Sequence, residues 1–202
     1  MTEYDLSDCG IDGLETIEVE GALTKVRIVA GAPIAFLFDE HHTTSQCIAE
    51  NIQNAQTLID NAGVGRLYVE SHAAGQAADQ LTLVSGAPQF ANHFFVSLGN
   101  VEVEGVENHE LFDQQHLDVG APLHWPGITL RSHPYDRVRS HCFIASLFRN
   151  WRAAEMAGNV VLNAGRHHID DVCDMIQWGE IDVLTGVAAV TYIRIRPTSY
   201  PP

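Results

Sequence analysis

The chain has 202 residues, of which 46% are hydrophobic and 18% are charged, as is usual for one globular domain. Its formal net charge of −15 argues against nucleic acid, whose phosphates need a basic surface, and against an anionic membrane surface. No apolar stretch approaches the ~20 residues of a transmembrane helix, and the acidic N-terminal residues are unlike a signal peptide, so we expect a cytoplasmic protein with no nucleic-acid or membrane partner.

The first quarter of the chain predicts short strands followed by a helix. Residues 1–24 are acidic and contain glycine, which favours an extended lead-in with one short strand. Strands are predicted at residues 25–30 and 34–38, where β-branched and apolar side chains alternate or run together. Apolar residues then recur at helical spacing over residues 45–61, which predicts an amphipathic helix.

The middle of the chain predicts two further strands and a long helix. Strands are expected at residues 67–69 and 101–107, separated by a partly helical stretch over 73–99. Prolines and glycines interrupt residues 111–132, which favours a loop with short helical pieces. Apolar periodicity then predicts a helix over 134–157.

The last third predicts a strand at residues 159–164, a helix at 169–178 and strand-like segments at 181–184 and 187–195. Alternating strands and helices are typical of βαβ units. The interpretation is an α/β protein whose mostly parallel, mixed central sheet is flanked by helices.

Three segments make up the predicted domain organisation. The acidic lead-in covers residues 1–24, a single α/β domain covers 25–196, and the proline-containing tail at 197–202 is expected to be loose. No low-complexity segment divides the chain.

The four cysteines predict neither a disulfide framework nor a cysteine zinc site. Cys9, Cys47, Cys142 and Cys173 are scattered and show no CxxC spacing. Three of them fall in apolar helical patterns, so we expect buried thiols.

Polar clusters end four of the predicted strands. All four contain histidine, and three of them also contain a carboxylate; they lie at residues 39–42, 70–72, 107–109 and 165–168. Because parallel strands place their carboxyl ends along one edge of the sheet, these clusters predict a shared pocket. Histidine with carboxylate is a common ligand set for zinc, manganese or iron, and it also serves general acid–base catalysis.

Two of these clusters contain a pair of adjacent histidines, His41 with His42 and His167 with His168. Neighbouring residues of a strand point to opposite sides, so at most one member of each pair is expected in the pocket. The alternative for each histidine is a local capping or surface role.

Arg149 lies in the predicted long helix, where a lone arginine among apolar residues needs a carboxylate partner or an anionic substrate group. An ion pair between an arginine of this helix and Glu70 or Glu107 is an equally good interpretation. The two alternatives stay open at the level of sequence.

Short motifs occur in a recognisable order along the chain. They are Asp39-Glu40-His41-His42 after an early strand, Glu70 at the next strand end, Gly105-Val106-Glu107, Arg149-Asn150 with Met156-Ala157, and Gly165-Arg166-His167-His168. Together they resemble the Tiki/TraB/ChaN superfamily, to which erythromycin-esterase-like hydrolases are related. The resemblance spans about residues 34–195. Asp39 stands where that family has glycine, and the gap before Met156 is longer than the family's.

The resemblance selects His42 and His168 as the inward-facing histidines and implies a hydrolase that cleaves an ester or amide bond in a small molecule or peptide. In a metal-dependent version, His42 and His168 hold a divalent ion with help from Glu70 or Glu107. Zinc, manganese or cobalt fits such ligands, and the ion lowers the pKa of its bound water to about 7.

Two further residues complete this hypothesis. Glu40 is the expected general base, and Arg149 is expected to stabilise the oxyanion or hold a substrate carboxylate. One alternative omits the metal, so that His42 or His168 activates water, oriented by Glu40 or Glu70. Another is a non-catalytic protein that binds a small ligand or, less favoured, haem in the same pocket. The sequence predicts no particular oligomeric state.

Overall fold

The computed structural model describes residues 1–42, 44–73, 95, 98–99, 101–108, 134–181 and 189–201. The partly helical stretch predicted at 73–99 and the loop predicted at 111–132 lie almost wholly outside the described residues. The strand-like segment predicted at 181–184 also falls mostly outside them.

The described residues form eight strands and three α-helices. The strands are β1 (Thr2–Asp5), β2 (Thr16–Val19), β3 (Ala22–Arg27), β4 (Ile34–Glu40), β5 (Val64–Ala73), β6 (Glu102–Glu107), β7 (Asn159–Gly165) and β8 (Thr191–Arg196). The helices are α1 (Ser45–Asn61), α2 (Pro134–Ala153) and α3 (Arg166–Trp178). A short 3₁₀ turn spans Ser7–Cys9.

Six strands join into one mixed sheet in the order β3-β8-β4-β7-β5-β6. Strands β8, β4, β7, β5 and β6 are mutually parallel, and only β3 pairs antiparallel, with β8. Strands β1 and β2 form a separate antiparallel pair. The prediction of an α/β fold with a mostly parallel, mixed sheet flanked by helices is confirmed.

Both faces of the sheet are covered, which explains why the central strands β4 and β7 contain apolar runs, Ile34–Phe38 and Val160–Leu162, that do not alternate with polar residues. Every residue of β4 is buried. Phe36 and Phe38 join the core beneath α1 and the β1–β2 pair. Leu37 and Leu162 join the core on the other face, beneath α2 and α3.

The chain leaves β4 and β7, which are neighbours, in opposite directions. After β4 it passes through α1 to β5, and after β7 it passes through α3 to β8, with the two helices on opposite faces. Such a reversal opens a crevice outside the carboxyl ends of the two strands, where ligands of α/β proteins usually bind. The described strand-end residues Glu40, Glu107 and Gly165 lie on the side of the sheet where this crevice opens.

Element boundaries differ from prediction at both histidine pairs. Strand β4 ends at Glu40, so His41 and His42 follow the strand rather than continue it. Helix α3 begins at Arg166, so the second pair lies in the first turn of a helix. The alternation of side chains along a strand therefore does not decide which histidines face the crevice; the turns that follow each strand decide it.

The ends of the described chain also carry structure. The acidic lead-in contains β1, the 3₁₀ turn and β2, where one short strand was expected. In the tail, the backbone N–H of Ser199 donates to the Glu50 carboxylate at 3.1 Å. The Tyr200 ring meets the His41 ring edge-on, with centroids 5.6 Å apart.

Cys47, Cys142 and Cys173 are buried free thiols, as predicted, and Cys9 is one as well. Across the described ranges, no helix has both the length and the apolar character that a membrane span requires.

Candidate active site

Five of the six predicted site residues lie in one cluster at the carboxyl-terminal ends of β4, β5, β6 and β7, where Glu40 and Glu107 are the last residues of their strands and Glu70 lies within β5. They are Glu40, His42, Glu70, Glu107 and His168, linked by the contacts described below. The sixth, Arg149, is elsewhere, and Arg139 of α2 is the arginine of the cluster.

Glu40 orients the imidazole of His42. Its carboxylate is buried, and Oε1 lies 2.8 Å from His42 Nδ1, while Oε2 accepts a hydrogen bond from Asn163 Nδ2 at 2.6 Å. Because an ionised carboxylate only accepts hydrogen bonds, Nδ1 carries the proton. In the neutral imidazole, His42 Nε2 is then the basic nitrogen.

Glu70 lies at the centre of the cluster. Its Oε2 accepts the backbone N–H of Gly165 at 2.7 Å and is 3.7 Å from His42 Nε2. Its Oε1 is 3.7 Å from His168 Nε2 and 3.2 Å from Arg139 Nη2. One buried carboxylate therefore links both histidines and the arginine.

Gly165 allows His42 to approach the end of β7. A Cβ atom at this position would be 3.1 Å from His42 Nε2 and 3.5 Å from Glu70 Oε2. The first distance is tighter than normal contact, so any larger residue displaces the imidazole. Glycine is therefore the residue that lets His42 lie this close to the end of β7.

Arg139 is the residue of the cluster that the sequence motifs did not include. Its Nε donates to Glu107 Oε2 at 3.3 Å, and its Nη2 also donates to the Glu107 carboxylate. Its Nη1 donates to His168 Nε2 at 3.2 Å, and its guanidinium lies over the Phe143 ring. An arginine of the long helix thus pairs with the strand-end carboxylates, which was one of the two alternatives considered. The carboxylates themselves were the only signal for it.

Arg149 is not brought to the cluster. It is exposed and contacts the adjacent Asn150, with Nε 3.4 Å from Oδ1. Ten residues separate it from Arg139, which is about 15 Å along a helix.

His168 is held from its other side by Ser140, a buried residue of α2. Ser140 Oγ lies 2.8 Å from His168 Nδ1 and donates to Asp171 Oδ2 at 2.9 Å. The Phe143 ring packs on the imidazole, with centroids 4.9 Å apart.

Asp39, at the position of the family's glycine, points away from the cluster. Arg194 Nε and Nη2 donate to its two oxygens at 2.8 and 2.9 Å, and Arg196 Nε donates to Oδ2 at 2.7 Å. Burial opposes the charge of Arg194, yet the hydrogen bonds and charge of Asp39 raise its pKa above the ordinary value. Asp39 therefore belongs to a structural ion pair on the α3 face.

Solvent reaches two members of the cluster more than the others. The side chains of His42 and Arg139 are 28% and 30% exposed. Those of Glu70 and His168 are only 6% and 9% exposed. Among the described residues, the accessible groups are thus one imidazole and one guanidinium, and the buried groups hold them.

The predicted metal ligands already have a cation. The Arg139 guanidinium, which stays charged, contacts Glu70, Glu107 and His168, three of the four expected ligands. Within the described ranges no group of three or more histidine, cysteine or carboxylate side chains is arranged to hold a metal ion. In this arrangement the side chains fit an arginine-centred site better than a metal centre.

The fold and the cluster define an α/β protein with a histidine–carboxylate–arginine site at a crevice of its sheet. Comparison with protein-family models, with curated proteins and with solved structures found no match to this chain. The resemblance to the Tiki/TraB/ChaN superfamily therefore stays a prediction that rests on the motifs.

Proposed function

We propose that this protein is a hydrolase that cleaves an ester or amide bond in a small molecule or peptide, with His42 activating water and Arg139 stabilising the oxyanion. One observation carries the proposal: these two side chains are the accessible members of an otherwise buried ionisable cluster. Groups that meet substrate must be reachable, and the groups that orient them need not be.

His42 has the contacts of a general base. Glu40 fixes the Nδ1–H tautomer from 2.8 Å, so Nε2 accepts a proton from water as the water oxygen bonds to the carbonyl carbon. The C–O or C–N bond then breaks, and the same nitrogen returns the proton to the leaving group. A positioned base of this kind contributes about 10²- to 10⁴-fold to the rate.

Arg139 supplies the complementary charge. The carbonyl oxygen becomes negative as water attacks, and a fixed N–H donor stabilises that charge by about 10²- to 10³-fold in kcat. Glu107 and Glu70 hold the guanidinium from two sides. The donor is therefore oriented before substrate binds.

The metal-dependent version of the hypothesis competes with this one. It requires His42 and His168, with help from Glu70 or Glu107, to bind zinc, manganese or cobalt, and hence Arg139 to leave His168 and that glutamate. Chelation distinguishes the two versions, because only the metal-dependent version loses activity when the ion is removed.

The experiment measures hydrolysis of p-nitrophenyl acetate and of a peptide p-nitroanilide by the full chain, before and after EDTA treatment. We expect His42→Asn to lose about 100-fold or more in kcat/KM, with EDTA changing the rate less than about twofold. The matched variant His41→Asn removes the neighbouring imidazole, which contacts Thr44 Oγ1 at 2.7 Å, and is expected to keep its activity.

Other outcomes lead to different conclusions. Activity lost to EDTA and restored by one divalent metal favours the metal-dependent version. Equal activity in His42→Asn and the unsubstituted chain contradicts the proposal. A small molecule or haem that co-purifies and is never turned over favours a binding protein.

A further inference from the structure

A hydrogen-bonded chain runs from the interior of the fold to the accessible guanidinium. It starts at Asp171 of α3, passes through Ser140 of α2 and His168 of α3, and ends at Arg139 of α2. The three distances are 2.9, 2.8 and 3.2 Å. Asp171, Ser140 and His168 are all buried.

The donors and acceptors of this chain have one consistent assignment. A guanidinium has no acceptor, so His168 Nε2 accepts from Arg139 and carries no proton. The ring proton is therefore on Nδ1, and His168 donates it to Ser140 Oγ. Ser140 then gives its own hydroxyl proton to the Asp171 carboxylate, which only accepts.

The surroundings of His168 favour this neutral form. The imidazole lies in the first turn of α3, where the helix dipole disfavours a positive charge. The positive Arg139 faces Nε2, and Phe143 covers the ring. The negative groups are Glu70 Oε1, 3.7 Å from Nε2, and Asp171, which reaches the ring through Ser140.

We propose that Ser140 and Asp171 are positioning residues that hold His168 in the Nδ1–H tautomer, so that Nε2 accepts from Arg139 and fixes the guanidinium in the site. The consequence for catalysis rests on the proposed function. The tautomer is a property of the folded protein and is measured without any substrate.

The Nδ1–H tautomer needs a cause, because free neutral histidine favours the proton on Nε2. Ser140 provides the acceptor for Nδ1–H, and Asp171 keeps the serine in that role by taking its proton. Without Asp171, the hydroxyl of Ser140 is able to donate to His168 Nδ1. Without Ser140, the Nδ1–H group has no acceptor. In both cases the Nε2–H tautomer becomes populated, and in that tautomer Nε2 no longer accepts a hydrogen bond from Arg139.

The test is ¹⁵N NMR of the full chain with labelled histidines, in which His168→Gln identifies the His168 signals among the eleven histidines. We expect one protonated Nδ1 and one unprotonated Nε2 at neutral pH. In Ser140→Ala and Asp171→Leu, we expect the shifts of the two nitrogens to move toward each other as both tautomers become populated. Asp171→Leu removes the acceptor of the Ser140 hydroxyl proton and carries the test if Ser140→Ala does not fold.

The matched control is Ser146→Ala. Ser146 is a buried serine of the same helix, for which the described residues supply no hydrogen-bond partner. We expect the ¹⁵N shifts of His168 in Ser146→Ala to equal those of the unsubstituted chain. This control separates a general effect of removing a buried hydroxyl from an effect on the His168 tautomer.

Two results overturn the proposal: a protonated Nε2 in the unsubstituted chain, or His168 shifts that both positioning variants leave unchanged. With a hydrolysed substrate, Ser140→Ala is expected to lower kcat about tenfold with little change in KM. If no substrate is hydrolysed, the proposed function fails while the NMR result still decides the tautomer.

Discussion

Arg194 donates two parallel hydrogen bonds to Asp39, from Nε to Oδ1 at 2.8 Å and from Nη2 to Oδ2 at 2.9 Å. The aspartate is completely buried. Arg196 adds a third hydrogen bond at 2.7 Å. A buried carboxylate with two arginines is costly to break from either side, because one charge is left without its partner.

This ion pair predicts a large stability effect at Asp39. Asp39→Asn is expected to lower the free energy of unfolding by about 3 kcal/mol, because Arg194 stays charged in a largely buried place. Urea unfolding measures it, and an unchanged m-value shows that the loss is one of stability. Asp170 also contacts Arg194 but is 41% exposed. We therefore expect Asp170→Asn to lower the free energy of unfolding by less than about 1 kcal/mol. Equal losses of stability in Asp39→Asn and Asp170→Asn would contradict this role of Asp39.

The two arginines of α2 give a direct comparison. Lysine keeps the charge but loses the planar set of donors with which Arg139 contacts Glu107, Glu70 and His168. Arg139→Lys is therefore expected to reduce kcat/KM for ester hydrolysis about 100-fold. Arg149→Lys replaces an exposed side chain, and we expect it to change kcat/KM for ester hydrolysis by less than about twofold. The reverse order of effects would favour the motif-based prediction of Arg149.

Gly165→Ala tests the close approach of His42. The added Cβ, 3.1 Å from His42 Nε2, is expected to displace the imidazole by a few tenths of an ångström and to lower kcat about tenfold. Gly65→Ala is the matched variant, because a Cβ there meets no atom within 4 Å. Steady-state kinetics and ¹⁵N shifts of His42 measure the difference, and full activity in Gly165→Ala would argue against a role for His42.

Thiol reactivity tests the buried cysteines. Burial raises the pKa of Cys47 to about 11 and that of Cys173 to about 12, so little thiolate forms at neutral pH. We expect Ellman's reagent to detect fewer than one thiol per native chain within minutes and all four after denaturation. A fast-reacting thiol in the native chain would show that one of the cysteines is accessible.

The carboxylates of the site could be predicted from the sequence, whereas its arginine could not. Glu40 and Glu70 were predicted because polar residues follow the apolar runs at 34–38 and 67–69, although β5 continues past Glu70 to Ala73. Arg149 was selected from the Arg149-Asn150 motif, whereas Arg139 is the arginine that lies in the cluster. Both residues lie on the same helix, and the apolar pattern does not show which turn of the helix faces β6. Only the packing of α2 against the end of β6 decides that.

The sequence by itself determined the α/β class and the presence of polar strand ends, because hydrophobic periodicity and abrupt changes of polarity are local properties of the chain. The tertiary structure decided which strands are neighbours and which arginine serves as the cation of the cluster. It also decided that Asp39 joins Arg194 on the other face while Glu40 holds His42. Some of these relationships join residues more than a hundred positions apart, such as Asp39 with Arg194, and others join nearby residues, such as Glu40 with His42. The long-range relationships exist only once β8, β4 and β7 lie side by side.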